Sequence, residues 1–166
     1  SSLTGQTPAS FTCVVNSPET GDPGAMATFL TKTLGADAIT VSPFLGFESL
    51  RPALDLANQS GRGVFVLALT SNPDGAQVQH AIRQGRTVAG SVADGVTREN
   101  LRDRETGVLG SVGMVVGATV GDAVRRLGLD LSAANAPLLA PGVGAQGATA
   151  ENLRTVFGAA LPISVG

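Results

Sequence analysis

At 166 residues, with 43% hydrophobic and 14% charged residues, the chain is long enough for one folded domain and too apolar to be disordered. A net charge of −2, no Trp, no Tyr and only six Phe leave little for stacking bases or neutralising phosphates, which argues against nucleic-acid strands as partners. No apolar run nears the roughly 20 residues of a membrane span. The single cysteine, Cys13, excludes an intrachain disulfide and a cysteine-type zinc site, so a reducing, cytoplasmic setting is the simplest one. The first residues, Ser1-Ser2-Leu3-Thr4-Gly5-Gln6, lack the basic and apolar regions of a signal peptide and lack an initiator Met.

Short β-branched runs alternate with longer helical stretches, the pattern of βα units around a parallel sheet. Thr12-Cys13-Val14-Val15 reads as a weak first strand, and residues 24–34 as a helix closed by Gly35. Ala38-Ile39-Thr40-Val41 is a strand ended by Ser42-Pro43, followed by a helix over residues 48–58 with Leu50, Leu54 and Ala57 on one face. Gly63-Val64-Phe65-Val66-Leu67-Ala68-Leu69 is a continuous apolar run suited to a strand buried on both faces. A turn-rich loop over residues 70–75 leads into residues 77–104, expected to be mostly helical with an interruption near Gly85. The polar end of that stretch, residues 98–105, reads as a solvated helix face.

Gly113-Met114-Val115-Val116 is another buried strand, followed by Gly117-Ala118-Thr119 and a helix reaching about Leu127. Pro137-Leu138-Leu139-Ala140 is a strand that runs into the glycine-rich loop Pro141-Gly142-Val143-Gly144-Ala145-Gln146-Gly147. A helix over residues 150–157 and a strand, Pro162-Ile163-Ser164-Val165, follow. The expected architecture is a single α/β domain over residues 1–166 of the (β/α)₈ TIM-barrel type. It is incomplete at about six strands, because a full barrel takes about 250 residues. Residues 1–23 form a divergent or truncated N-terminal segment.

In such architectures ligands gather at the carboxyl ends of the strands. Four of these ends carry polar or glycine-rich loops: Ser42-Pro43, residues 70–75, residues 117–119 and residues 141–147. In the last, Gly142, Gly144 and Gly147 expose backbone N–H groups beside a helix start, which suits an anion, and Gln146 offers both a donor and an acceptor. The competing reading is a plain strand-to-helix turn whose glycines only relieve strain. Ser71 and Asn72 could hydrogen-bond a planar polar ring, or Asn72-Pro73 could simply start an Asx turn. His80 has no second histidine near it in the sequence and reads as a surface residue rather than a metal ligand. No metal-binding or triad signature is present.

Three segments in order, residues 37–46, residues 63–73 and residues 141–147, carry a resemblance that spans about residues 35–165. They resemble bacterial orotidine 5′-monophosphate decarboxylases, particularly the actinobacterial forms. The resemblance implies cofactor-free decarboxylation of orotidine 5′-monophosphate to uridine 5′-monophosphate in pyrimidine synthesis, by a barrel that forms a homodimer. It implies that Ser71 contacts the pyrimidine ring and that Pro141 lies near ring and ribose. It also implies that Gln146, with Gly144 in the same loop, closes over the phosphate, and that Gly166 matches the family's glycine before a phosphate-binding arginine, a residue this sequence does not include. The resemblance further calls for an Asp-x-Lys-x-x-Asp cluster, in which the lysine protonates the carbanion. The only lysine is Lys32, five residues before Asp37, and residues 15–22 contain none, so no catalytic residue is identifiable. Those residues either stand in place of the cluster or echo the family's first strand, with Ser17-Pro18 replacing an Asp-Pro pair. The alternative function is accordingly a non-catalytic nucleotide-binding or assembly module built on that barrel.

Overall fold

The computed structural model describes residues 35–143 and 147–165. The chain enters on strand β1 (Ala38–Val41), turns through a 3₁₀ segment, Phe47–Leu50, and continues as helix α1 (Arg51–Ser60). Pro52 in the first turn and Gly61 at φ 65 after the last mark the two ends of α1, where a proline costs no helix bond and a glycine adopts the left-handed cap. Strand β2 (Gly63–Leu69) is the long apolar run. A 3₁₀ turn, Pro73–Gly75, and the single-turn helix α2 (Ala76–Gln79) follow.

Next come two short antiparallel strands, β3 (Ile82–Arg83) and β4 (Arg86–Thr87), and then helices α3 (Val88–Glu99) and α4 (Leu101–Glu105). Strand β5 (Val112–Val116), helix α5 (Ala123–Arg126), strand β6 (Leu138–Leu139) and helix α6 (Ala150–Phe157) lead through a 3₁₀ segment, Gly158–Ile163, to strand β7 (Ser164–Val165). The main sheet is parallel throughout, in the order β1-β2-β5-β6-β7. Five of the six expected strands are therefore in it, and the sixth, at residues 12–15, lies outside the described residues, as does the helix expected over residues 24–34.

Register and burial explain which face does what. Val64, Val66, Met114, Val116 and Leu138 share one face, since Val66 pairs with Met114 and Met114 with Leu138. They are buried in one cluster with Leu50, Ala53 and Leu54 from the α1 region, Ala89, Val92, Ala93 and Val96 from α3, and Val124 from α5. Helices thus cover this face, and removing so many aliphatic side chains from water is the main stabilising term. Phe65 and Val115, also buried, point to the opposite face. Phe65 sits directly across from Gly113, where a Cβ would lie only 2.5 Å from the Phe65 ring and 2.7 Å from the Pro137 carbonyl oxygen. The ring occupies the space a side chain at 113 would need.

The stretch expected as one interrupted helix over residues 77–104 is instead α2, a hairpin and two helices. Gln84 and Gly85, at φ 55 and 78, are both left-handed, the backbone a two-residue hairpin turn requires. The turn reverses the chain where the polar run Arg83-Gln84-Gly85-Arg86 offers no apolar face to continue a helix. Arg86 then ties the hairpin down. Its guanidinium donates to both Asp94 carboxylate oxygens at 2.7 and 2.8 Å and to the Gly128 carbonyl at 2.8 Å.

Those hydrogen bonds hold the Asp94 carboxyl below the ordinary aspartate range, against an opposing push from partial burial. Because the folded-state pKa is the lower one, the contribution is present above the unfolded value of about 3.9 and is lost as pH falls through the folded value. Both side chains are substantially exposed, at 35% and 48%, so Asp94→Asn should cost no more than about 1 kcal/mol at neutral pH. Urea denaturation of the two proteins is expected to differ at pH 7 and to converge as acid protonates the Asp94 carboxylate in the folded state. A gap that persists undiminished in acid would show that the ion pair is not its source.

Candidate functional site at the strand carboxyl ends

A parallel sheet puts all its carboxyl ends on one rim, and here three of them are laced together by backbone hydrogen bonds. Beyond β5, the Gly117 amide donates to the Leu69 carbonyl at the end of β2, at 2.9 Å. The Ala118 amide donates to the Pro141 carbonyl beyond β6, also at 2.9 Å. A Cβ at Gly117 would stand 3.1 Å from the Ser71 nitrogen, so the missing side chain lets the two loops approach this closely. Ser71 and Pro141 are both exposed on this rim, joined through residues 117–118. Two of the residues expected to contact a ligand are thus brought onto one rim. Gly144, Gln146 and Gly166 lie outside the described residues.

The loop between β6 and α6 is closed at its base. Val143 and Ala148 form an isolated parallel bridge, and the Ala148 amide donates to the Gly142 carbonyl at 3.0 Å. Gly142 and Gly147 have φ of 110 and 78, so the strain-relief role of glycine applies to both. Just beyond, Thr149 caps α6 in a reciprocal box. Its hydroxyl accepts from the Asn152 amide at 3.3 Å, while the Asn152 side-chain oxygen accepts from the Thr149 amide at 2.8 Å. The helix end therefore uses two of its own amides internally.

At the end of β2, the Asn72 side-chain oxygen accepts from the Asp74 amide at 3.1 Å, which makes it the start of an Asx turn. Ser71 is left as the exposed hydroxyl. His80, expected on the surface, is half-buried at the C-cap position of α2, where its backbone amide donates to the Ala76 carbonyl at 3.1 Å. Among the described residues no group of three or more His, Cys, Asp or Glu could hold a metal ion. Sequence reasoning passed over Gln79, whose carboxamide grips Thr70. Its only sequence signal was its place nine residues after a strand-end threonine, too generic to single it out.

A parallel sheet covered by helices on one face, with glycine-rich loops collected at its carboxyl rim, is an α/β barrel-type arrangement. The family model described as orotidine 5′-phosphate decarboxylase / HUMPS family matches residues 22–161, and the chain belongs to this family. The chain is 57% identical over 130 residues to orotidine 5′-phosphate decarboxylase of Salinispora arenicola, covering 78% of this chain and 44% of that protein. It is 55% identical over 130 residues to the Streptomyces coelicolor protein of the same name, covering 77% and 44%. A crystal structure described as an orotidine 5′-phosphate decarboxylase from Streptomyces avermitilis superposes with a TM-score of 0.75 at 52% identity, over 86% of this chain and 49% of that one. The chain spans less than half the length of these curated relatives. Its sheet is part of a TIM barrel of this family. No helix among the described residues is long and apolar enough to cross a membrane.

Proposed function

We propose that this chain forms the nucleotide-binding rim of an orotidine 5′-monophosphate decarboxylase and acts in converting orotidine 5′-monophosphate to uridine 5′-monophosphate in pyrimidine synthesis. The observation that carries the reading is the exposed Ser71, held beside Gly117 and linked through Ala118 to Pro141, in a chain of this family. In this reading the Ser71 hydroxyl meets the pyrimidine ring, Pro141 borders ring and ribose, and Gln146 with Gly144 closes on the phosphate. Gly166 stands where the family has the glycine that precedes its phosphate-binding arginine. Binding at the phosphate, remote from the reacting carbon, supplies energy for closing the loop and excluding water from the ring. The reaction takes no cofactor. The protein is a cytoplasmic homodimer whose partners are a pyrimidine nucleoside monophosphate and its own second copy, with no nucleic acid or membrane.

Calorimetric titration with 6-azauridine 5′-monophosphate tests this reading. Saturable binding is expected, with Gln146→Ala weakening it about tenfold through loss of one good hydrogen bond to a charged group. Absence of binding at millimolar ligand overturns the reading.

A further inference from the structure

The loop that carries Ser71 is closed on itself by one side chain. Gln79, at the end of α2, accepts from the Thr70 amide through Oε1 at 2.9 Å and donates through Nε2 to the Thr70 hydroxyl, also at 2.9 Å. Both bonds are partly shielded from water, and together they span nine residues of chain. Gly75 makes room for them. A Cβ there would lie 2.9 Å from Gln79 Nε2 and 3.2 Å from Thr70 Oγ1. Asn72 and the 3₁₀ turn Pro73–Gly75 shape the rest of the ring, with the Gly75 amide donating to the Asn72 carbonyl at 3.0 Å.

Thr70 is the first residue after β2 and the one before Ser71. A two-point grip on its amide and hydroxyl fixes the peptide that leads into Ser71, and the Gly117 amide holds the preceding Leu69 carbonyl at 2.9 Å. A short side chain presented on an exposed rim has no packing of its own to hold it. Its direction depends on the backbone, and contacts with a planar ligand are lost over a displacement of about 1 Å. We propose that Gln79 is a positioning residue for the ligand-binding rim, clamping Thr70 so that Ser71 faces the pyrimidine ring. This rests on the nucleotide-binding reading above. It adds a residue that touches no ligand itself and sets affinity for the base rather than for the sugar phosphate.

The test compares wild type, Gln79→Leu, Thr70→Val, Ser71→Ala and the Gln79→Leu/Ser71→Ala double variant in titrations with 6-azauridine 5′-monophosphate and with ribose 5-phosphate. Gln79→Leu should weaken the nucleotide about tenfold and leave ribose 5-phosphate unchanged. Thr70→Val removes one of the two bonds without touching α2 and should show a smaller loss of the same kind. In the Ser71→Ala background Gln79→Leu should cost nothing further, because the effect passes through Ser71. Wild-type nucleotide binding by Gln79→Leu overturns the clamp, as do equal losses for both ligands or losses that simply multiply in the double variant. If the wild type itself binds neither ligand, the nucleotide-binding reading fails first and the clamp falls with it. Binding by the wild type with no effect of Gln79→Leu removes the clamp alone.

Discussion

Replacing Asn100 by alanine is expected to cost the chain about 3 kcal/mol or more, the largest loss of any single polar substitution among the described residues. Asn100 is only 1% exposed and is the one buried polar residue among them. Its amide nitrogen donates to the Val112 carbonyl at 2.8 Å and to the Ala134 carbonyl at 3.0 Å, and its oxygen accepts from the Val112 amide at 3.3 Å. It thereby joins the α3–α4 junction, the first residue of β5 and the turn before β6. Alanine would leave two carbonyls and one amide buried without this partner, each at about 1–3 kcal/mol, and would open a void. Against a total stability of roughly 5–15 kcal/mol this is a severe change.

Asn100→Asp should be no better at neutral pH, since a carboxylate keeps the acceptor for Val112 but turns acceptor against acceptor at the two carbonyls. Gly110→Ala provides an independent route to the same loss. A Cβ there would sit 2.1 Å from Asn100 Cγ, so the amide would have to leave its partners. Urea unfolding should show the midpoint falling in all three variants with the slope unchanged. An Asn100→Asp protein as stable as wild type would mean that the amide nitrogen's two bonds contribute nothing.

Asn100 also shows where a sequence reading stops. Between Glu99 and Leu101 it belongs to a run of charged residues, and every local signal assigns it to a solvated face. It is buried because the chain breaks helix at that residue and turns its side chain under β5, which depends on Gly110 and the turn at residues 131–135. By contrast, helix α6 matches its expected bounds, residues 150–157, because both ends are written locally, as the Thr149–Asn152 cap and as Gly158. β2 and β5 were legible for a similar reason, since continuous apolar runs bounded by glycine suit strands covered on both faces.

The hairpin β3–β4 was not legible, because its strands are two residues each and its turn carries Gln84 in a left-handed conformation usually left to Gly, Asn or Asp. At the rim, the serine and proline could be read as candidates from their places at strand ends. The lacing that joins them runs through backbone amides of residues 117–118, and backbone bonds leave no mark on residue type. The Gln79 grip also joins residues nine apart, from its carboxamide to the Thr70 amide and hydroxyl.

The second large effect concerns turnover. Assayed side by side with the Salinispora arenicola protein on orotidine 5′-monophosphate, this chain is expected to be slower by about 10²–10⁴-fold at least, even at saturating substrate. The reaction implied by the resemblance leaves a carbanion that must be protonated where it forms, and the family's Asp-x-Lys-x-x-Asp cluster provides that acid. This chain has one lysine, Lys32, and its spacing to Asp37 does not fit the cluster. Residues 15–22 hold no lysine.

The Ser71 hydroxyl is far too weak an acid to take the lysine's place. Phosphate-binding energy lowers a barrier only through groups that act in the transition state, so tight binding without a positioned acid raises affinity and not rate. Release of carbon dioxide from carboxyl-labelled substrate measures this directly. Lys32→Ala, assayed in parallel, should leave the residual rate where it was. Turnover equal to the relative's that vanishes in Lys32→Ala would place Lys32 at the ring and overturn the spacing argument. Full turnover that survives the substitution would remove lysine from the reaction in this chain altogether, because Lys32 is its only one.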